Sequence, residues 1–213
     1  MKSEDLIEAL AHDVGPVRRR ALSLRLTMGL IMGAVATAAA VGLVLGFRPD
    51  LWIAMQGTIF WIKWLYTGSL AICASLATVK LARPDSGSFG WLWIALLPVL
   101  CLALLSTLEL ASTPSSQWLA MWLGGSWKVC SRNVVLLSVP IFGGLLWSFR
   151  RLAPTRLRTA GAAAGLTAGA WAATLYCLHC PETSLIFVLT WYTLGMALAA
   201  LAGAALGPRL LRW

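Results

Sequence analysis

Roughly six apolar stretches, each about 16 to 24 residues long and so able to cross a hydrocarbon core ~30 Å thick, take up most of the chain. They cover residues 24–47, 58–82, 89–108, 134–149, 160–178 and 185–206. Backbone N–H and C=O groups find no water inside a bilayer, so a spanning chain must be helical or form a closed barrel. A barrel needs strands of ~10 residues that alternate polar and apolar, whereas residues 96–105 are apolar on every side. The expected fold is an all-α polytopic transmembrane bundle of about six spans. Residues 1–23 form an N-terminal tail, 24–207 the membrane domain and 208–213 a short C-terminal tail.

Charge orients this arrangement. Arg18, Arg19, Arg20 and Arg25 precede or open the first span, and Lys80 and Arg83 lie between the second and third. Arg150, Arg151, Arg156 and Arg158 lie between the fourth and fifth, and Arg209 and Arg212 close the chain. The other connections carry only Arg48, Lys128 and Arg132. Lys and Arg concentrate on the cytoplasmic side of membrane proteins, so both termini are expected there, in a multi-pass protein. Lys63, near the outer end of the second span, reads as a side chain that snorkels toward water.

A cleavable signal peptide is disfavoured, because the first apolar run continues unbroken through Val41 to Phe47 and four acids occupy the tail before it. The formal charge of +9 reads as orientation and contact with anionic lipid, with no direct nucleic-acid partner. No internal repeat or run of intramembrane carboxylates marks a transporter, and no small-molecule substrate or cofactor is called for.

Two long smooth faces predict helix packing. Gly161, Gly165 and Gly169 recur every four residues in the fifth span, and Gly195, Ala199, Gly203 and Gly207 in the sixth, which lets backbones approach closely in an antiparallel hairpin. Gly29 and Gly33 offer a weaker version in the first span. Pro98 and Pro140 are positioned to kink the third and fourth. Trp118 and Trp122, one helical turn apart beside Leu119, Met121 and Leu123, read as an aromatic anchor on the outer interface.

The five cysteines differ in setting. Cys73 and Cys101 fall mid-span, where a thiol behaves as a small hydrophobe. Cys130, just before the fourth span, and Cys180, just after the fifth, are placed together on the outer face by the charge rule. A bond between them would close a loop of about 50 residues, worth at most ~4 kcal/mol in the chain-entropy picture. Exposed thiols at that level can equally be oxidised or capture a soft metal ion, with Cys177 and His179 as possible accessories. Staple and sensor both remain open on the residues alone. Cys177 and Cys180 also spell Cys-x-x-Cys, the spacing of membrane thiol oxidoreductases, although a redox Cys belongs at a helix N-terminus and Cys177 sits at a C-terminal end.

The tail carries the other signal. Leu6, Ile7, Leu10, Ala11 and Val14 fall on one face of a short helix with Ser3 as cap, Glu4 and Asp5 in its first turn, and Gly15 and Pro16 at its end. Glu4, Asp5, Glu8 and Asp13 make its polar face acidic. A lipid-bound helix normally shows a basic one, so the tail points to a protein partner with a basic surface around an apolar groove.

These residues, with the Pro16, Val17, Arg18 group, the stretch from Trp127 through Cys130 to Ser138 and Pro140, the Arg150 to Pro154 turn, and His179, Cys180, Pro181, Glu182 followed by Trp191 and Tyr192, resemble the NrsF family. That family comprises bacterial six-span membrane proteins named as negative regulators of sigma F. The resemblance implies an anti-sigma factor, not an enzyme, that holds an extracytoplasmic-function sigma factor at the inner membrane until heavy-metal or oxidative stress releases it. The family's paired outer cysteines match Cys130 and Cys180, which moves the reading toward a sensor that binds metal transiently. The family's cytoplasmic segment matches the acidic tail, with Leu6, Ile7, Leu10, Glu4, Asp5 and Glu8 as partner contacts. Cys177 is an addition to the pattern.

Overall fold

The computed structural model describes residues 19–82, 90–149 and 156–211. The acidic tail, with Glu4, Asp5, Leu6, Ile7, Glu8 and Leu10, and the turn from Arg150 to Pro154 lie outside them. All regular structure among the described residues is helical. The long helices are α1 (Arg19–Ala40), continued by a π turn (Val41–Leu45), α3 (Thr58–Leu81), α4 (Leu96–Ala111), α6 (Trp127–Phe149), α7 (Leu157–Tyr176) and α8 (Leu185–Leu210), which contains a second π turn (Val188–Tyr192). Two short helices, α2 (Leu51–Gln56) and α5 (Trp118–Leu123), lie in the connections.

Five of the long helical segments have the length and apolar composition needed to cross a membrane. The expected fifth span is a helix of full length, α7, that does not meet this apolar standard. The reason lies in its position. It packs against α8, α3 and α6, and its Ala, Gly and Thr side chains are buried along nearly its whole length, so it has protein where its neighbours have an apolar exterior. Large apolar side chains belong instead to the perimeter, where Ile31, Val35, Leu65, Ile72, Leu100, Leu104, Leu136, Val139 and Leu201 are exposed.

The small-residue faces meet as expected. Gly161 and Gly203 approach so closely that a Cβ on Gly203 would stand 2.2 Å from the Gly161 carbonyl oxygen, and one on Gly165 would stand 2.3 Å from that of Ala199. Gly29 is the stronger surprise. A Cβ there would stand 2.2 Å from Gly144 O, and one on Gly33 2.4 Å from Ile141 Cα, so α1 and α6 form a second seam as tight as the first. It passes Pro140, and in the turn before that proline the buried Thr37 hydroxyl donates to Leu137 O at 2.9 Å.

Polar side chains tie the helices further. Thr78 and Thr167 share a hydrogen bond of 2.9 Å between α3 and α7, and the Trp171 indole donates to Ser75 Oγ at 3.1 Å. Tyr66 OH and Thr193 Oγ1 join α3 to α8 at 2.6 Å. Such bonds between membrane helices are worth roughly 0.6 to 2 kcal/mol each, so they supplement close packing and do not replace it.

Two expected boundaries move. The first helix begins at least as early as Arg19, so Arg19, Arg20 and Arg25 are within it and not ahead of it. The fourth begins at Trp127, which places Cys130 in its first turn and not in the preceding loop.

Candidate functional site

One end of the bundle is organised by the segment that joins α7 to α8, residues 177–184. A helix C-terminus leaves carbonyls without intrahelical partners, and here other elements use them. Leu178 O accepts the backbone N–H of Arg48 at 3.1 Å, and His179 Nδ1 lies 2.8 Å from Gly46 O, so the connection after α1 is fastened to the end of α7. Arg48 also grips Asp50 through two bonds of 2.8 and 2.6 Å, which raises the basicity of the guanidinium and lowers the carboxyl pKa.

Glu182 fastens the next element. Its Oε1 accepts the backbone N–H groups of Gly125 and Ser126 at 2.8 and 3.0 Å and the Ser126 hydroxyl at 2.9 Å. It therefore caps the N-terminus of α6 from a distant part of the chain, doing what an N-cap side chain does locally. Gly124 just before it has φ +56°, and a Cβ there would lie 2.6 Å from Glu182 Oε2, so the position needs glycine for both conformation and space. Glu109 Oε2 accepts the N–H of Leu185 at 2.8 Å at the start of α8, and the Trp191 indole donates to Trp122 O at 2.8 Å.

Beneath this segment lie three thiols. Cys130, Cys177 and Cys180 are each fully buried, and all three are unbridged. Cys130 and Cys180 meet in a thiol hydrogen bond. The pair named from the sequence is thus brought together, but in the interior and not as the exposed thiols expected. The Cys180 thiol is held below its ordinary pKa, chiefly because Cys130 hydrogen-bonds to it and also because the Lys63 ammonium is near, against the opposing effect of burial. Cys177 donates to Ala173 O at 3.3 Å inside α7, and its other neighbours include Thr67 and Tyr192. His179 packs against Tyr176 with the rings tilted by 39° and their centroids 5.5 Å apart, and is engaged with Gly46. Among the described residues no three His, Cys, Asp or Glu side chains form a metal-holding group.

Lys63 departs from expectation most. It does not snorkel into water: it is 1% exposed, its amine donates to Glu182 O at 2.6 Å and Cys180 O at 3.3 Å, and it lies 5.8 Å from the Tyr192 ring centroid. The Tyr192 hydroxyl is buried beside the Cys177 and Cys180 thiols. Sequence reasoning missed Lys63, Glu182 and Tyr192 as parts of the site. A signal existed for the first, since an ionisable residue within a membrane helix is a functional candidate by default.

A helical membrane bundle with a buried thiol pair under a pinned connection defines a polytopic protein whose chemistry sits in its own packing. The chain belongs to the NrsF family: the family model described as "Negative regulator of sigma F" matches residues 10–213. It is 41% identical over 218 residues to the anti-sigma-F factor NrsF of Caulobacter vibrioides and 39% identical over 214 residues to the probable anti-sigma-F factor NrsF of Azospira oryzae, with full coverage of both chains in each comparison. No solved structure matches.

Proposed function

We propose that this protein is an anti-sigma factor of the bacterial inner membrane that sequesters an extracytoplasmic-function sigma factor and releases it under heavy-metal or oxidative stress. The observation that carries the reading is the full-length similarity to relatives named anti-sigma-F factors. The acidic tail supplies the partner-binding face, with Leu6, Ile7 and Leu10 entering an apolar groove and Glu4, Asp5 and Glu8 facing its basic rim. Cys130 and Cys180 are the sensor thiols. Their meeting across the bundle supports that role, because a reagent or soft metal ion that takes both must displace the α7–α8 connection. Reversing a 99:1 bound population requires a differential of ~5.5 kcal/mol, which a two-thiol bond or metal site can approach. The Cys177–Cys180 oxidoreductase reading draws no support from a Cys177 thiol turned into its own helix.

The test is sigma-subunit co-purification from detergent extract, read beside stress-induced transcription. Leu6→Asp with Leu10→Asp is expected to abolish capture and leave transcription on without stress. Cys130→Ser and Cys180→Ser are expected to retain capture and lose the response to cadmium or oxidant. Normal capture by the tail variant at normal abundance would move recognition to the basic turn at 150–158, and an unaltered stress response in both thiol variants would end the sensor assignment.

A further inference from the structure

The three thiols have no exposure, yet a cavity with a largely apolar wall and a few charged side chains comes within one side chain of them. It has a volume of about 440 Å³ and is lined by Arg48, Asp50, Gly57, Thr58, Lys63 and Glu182 among others. Lys63 borders both spaces: it forms part of the cavity wall, and its ammonium acts electrostatically on Cys130, Cys177 and Cys180. Its amine meets no carboxylate among the described residues. What it holds is the backbone of the thiol-bearing connection, through the carbonyls of Cys180 and Glu182.

We propose that this cavity is the route by which a small water-soluble thiol reagent reaches Cys180, and that Lys63 is the plug between the two. The butyl stem fills the passage, and the two bonds from the amine keep the connection closed over the thiols. A reagent that reaches Cys180 must part those bonds, and since Lys63 belongs to α3, the disturbance passes directly to a helix that runs the length of the bundle to Leu81. This builds on the sensor reading of Cys130 and Cys180, and the experiment separates the two.

The full-length protein in native membranes is treated with a membrane-impermeant maleimide, and labelling of Cys180 is followed by peptide mass spectrometry. Lys63→Ala opens the passage and is expected to raise the labelling rate about tenfold or more, as for any group whose reaction awaits a local opening. Loss of the ammonium by itself makes the thiol less acidic and slows labelling, so an acceleration cannot come from charge. Ala54→Trp, on the cavity wall, narrows the approach and is expected to slow labelling several-fold. Unchanged or slower labelling in Lys63→Ala overturns the proposal. If that variant does not accumulate, Ala54→Trp decides alone: slower labelling supports the route and unchanged labelling overturns it. If labelling follows expectation while the Cys130→Ser and Cys180→Ser variants keep their stress response, the sensor reading falls and the route stands.

Discussion

At the scale of single residues, the α7–α8 connection stands on charge-assisted bonds made by two side chains, Lys63 and Glu182. Glu182 satisfies two backbone donors ahead of α6 and one hydroxyl. Hydrogen bonds to a charged group contribute ~1.5–3 kcal/mol, so Glu182→Ala is expected to destabilise the protein by about that amount in thermal unfolding of the detergent-solubilised chain, with Glu182→Gln retaining part of it. Equal stability in the Ala variant would mean that the cap contributes nothing. Neither side chain's role was legible in the sequence. The carbonyls that hold Lys63 lie 117 and 119 positions away, and an amide donor set such as Gly125 and Ser126 has no side-chain signature. Cys130 and Cys180 were legible as a pair, since charge placed both at one face. Their burial was not, because it depends on how the connection folds back over them.

At the scale of helices, apolar length revealed the spans well and small-residue spacing revealed one seam fully and another in part. The α1–α6 seam was underestimated because only Gly29 and Gly33 marked it on α1, while on α6 its small-residue spacing is the single pair Gly144 and Ser148, both of which face Gly29. The early start of α6 was hidden by Lys128, Ser131, Arg132 and Asn133, which lower the apolar character of a turn that is nonetheless helical. Apolarity reports what faces lipid, and helicity extends beyond it. The seams make a prediction about size. Gly203→Ala places a methyl against the Gly161 carbonyl and is expected to cost ~1–3 kcal/mol, lowering membrane abundance or melting temperature. Gly68→Ala in α3, where a Cβ meets nothing within 4 Å, is expected to be neutral or to stabilise by up to ~1 kcal/mol. Similar effects from both substitutions would refute the close-approach explanation.

At the scale of the whole molecule, the ends of the bundle differ in their chemistry. The thiol end gathers Arg48, Lys63, Glu109, Glu182 and the Trp122, Trp127 and Trp191 cluster, while among the described residues Arg19, Arg20, Arg25, Arg156, Arg158 and Arg209 lie toward the opposite helix ends. By the charge rule a reporter active only outside the cytoplasm is expected to be active when fused after Pro181 and silent after Pro154. The reverse pattern would put the thiols on the wrong face for sensing an external stress. The central helix carries one more implication, which concerns biogenesis. Insertion into a bilayer selects segments by apolarity as they leave the translocon, and α7, rich in Ala, Gly and Thr, is weak by that measure because it was shaped to touch protein. Its partner face on α8 is made later in synthesis. The two helices therefore enter the membrane most favourably as a pair, and the chain commits to its complete topology only when its last span has been made.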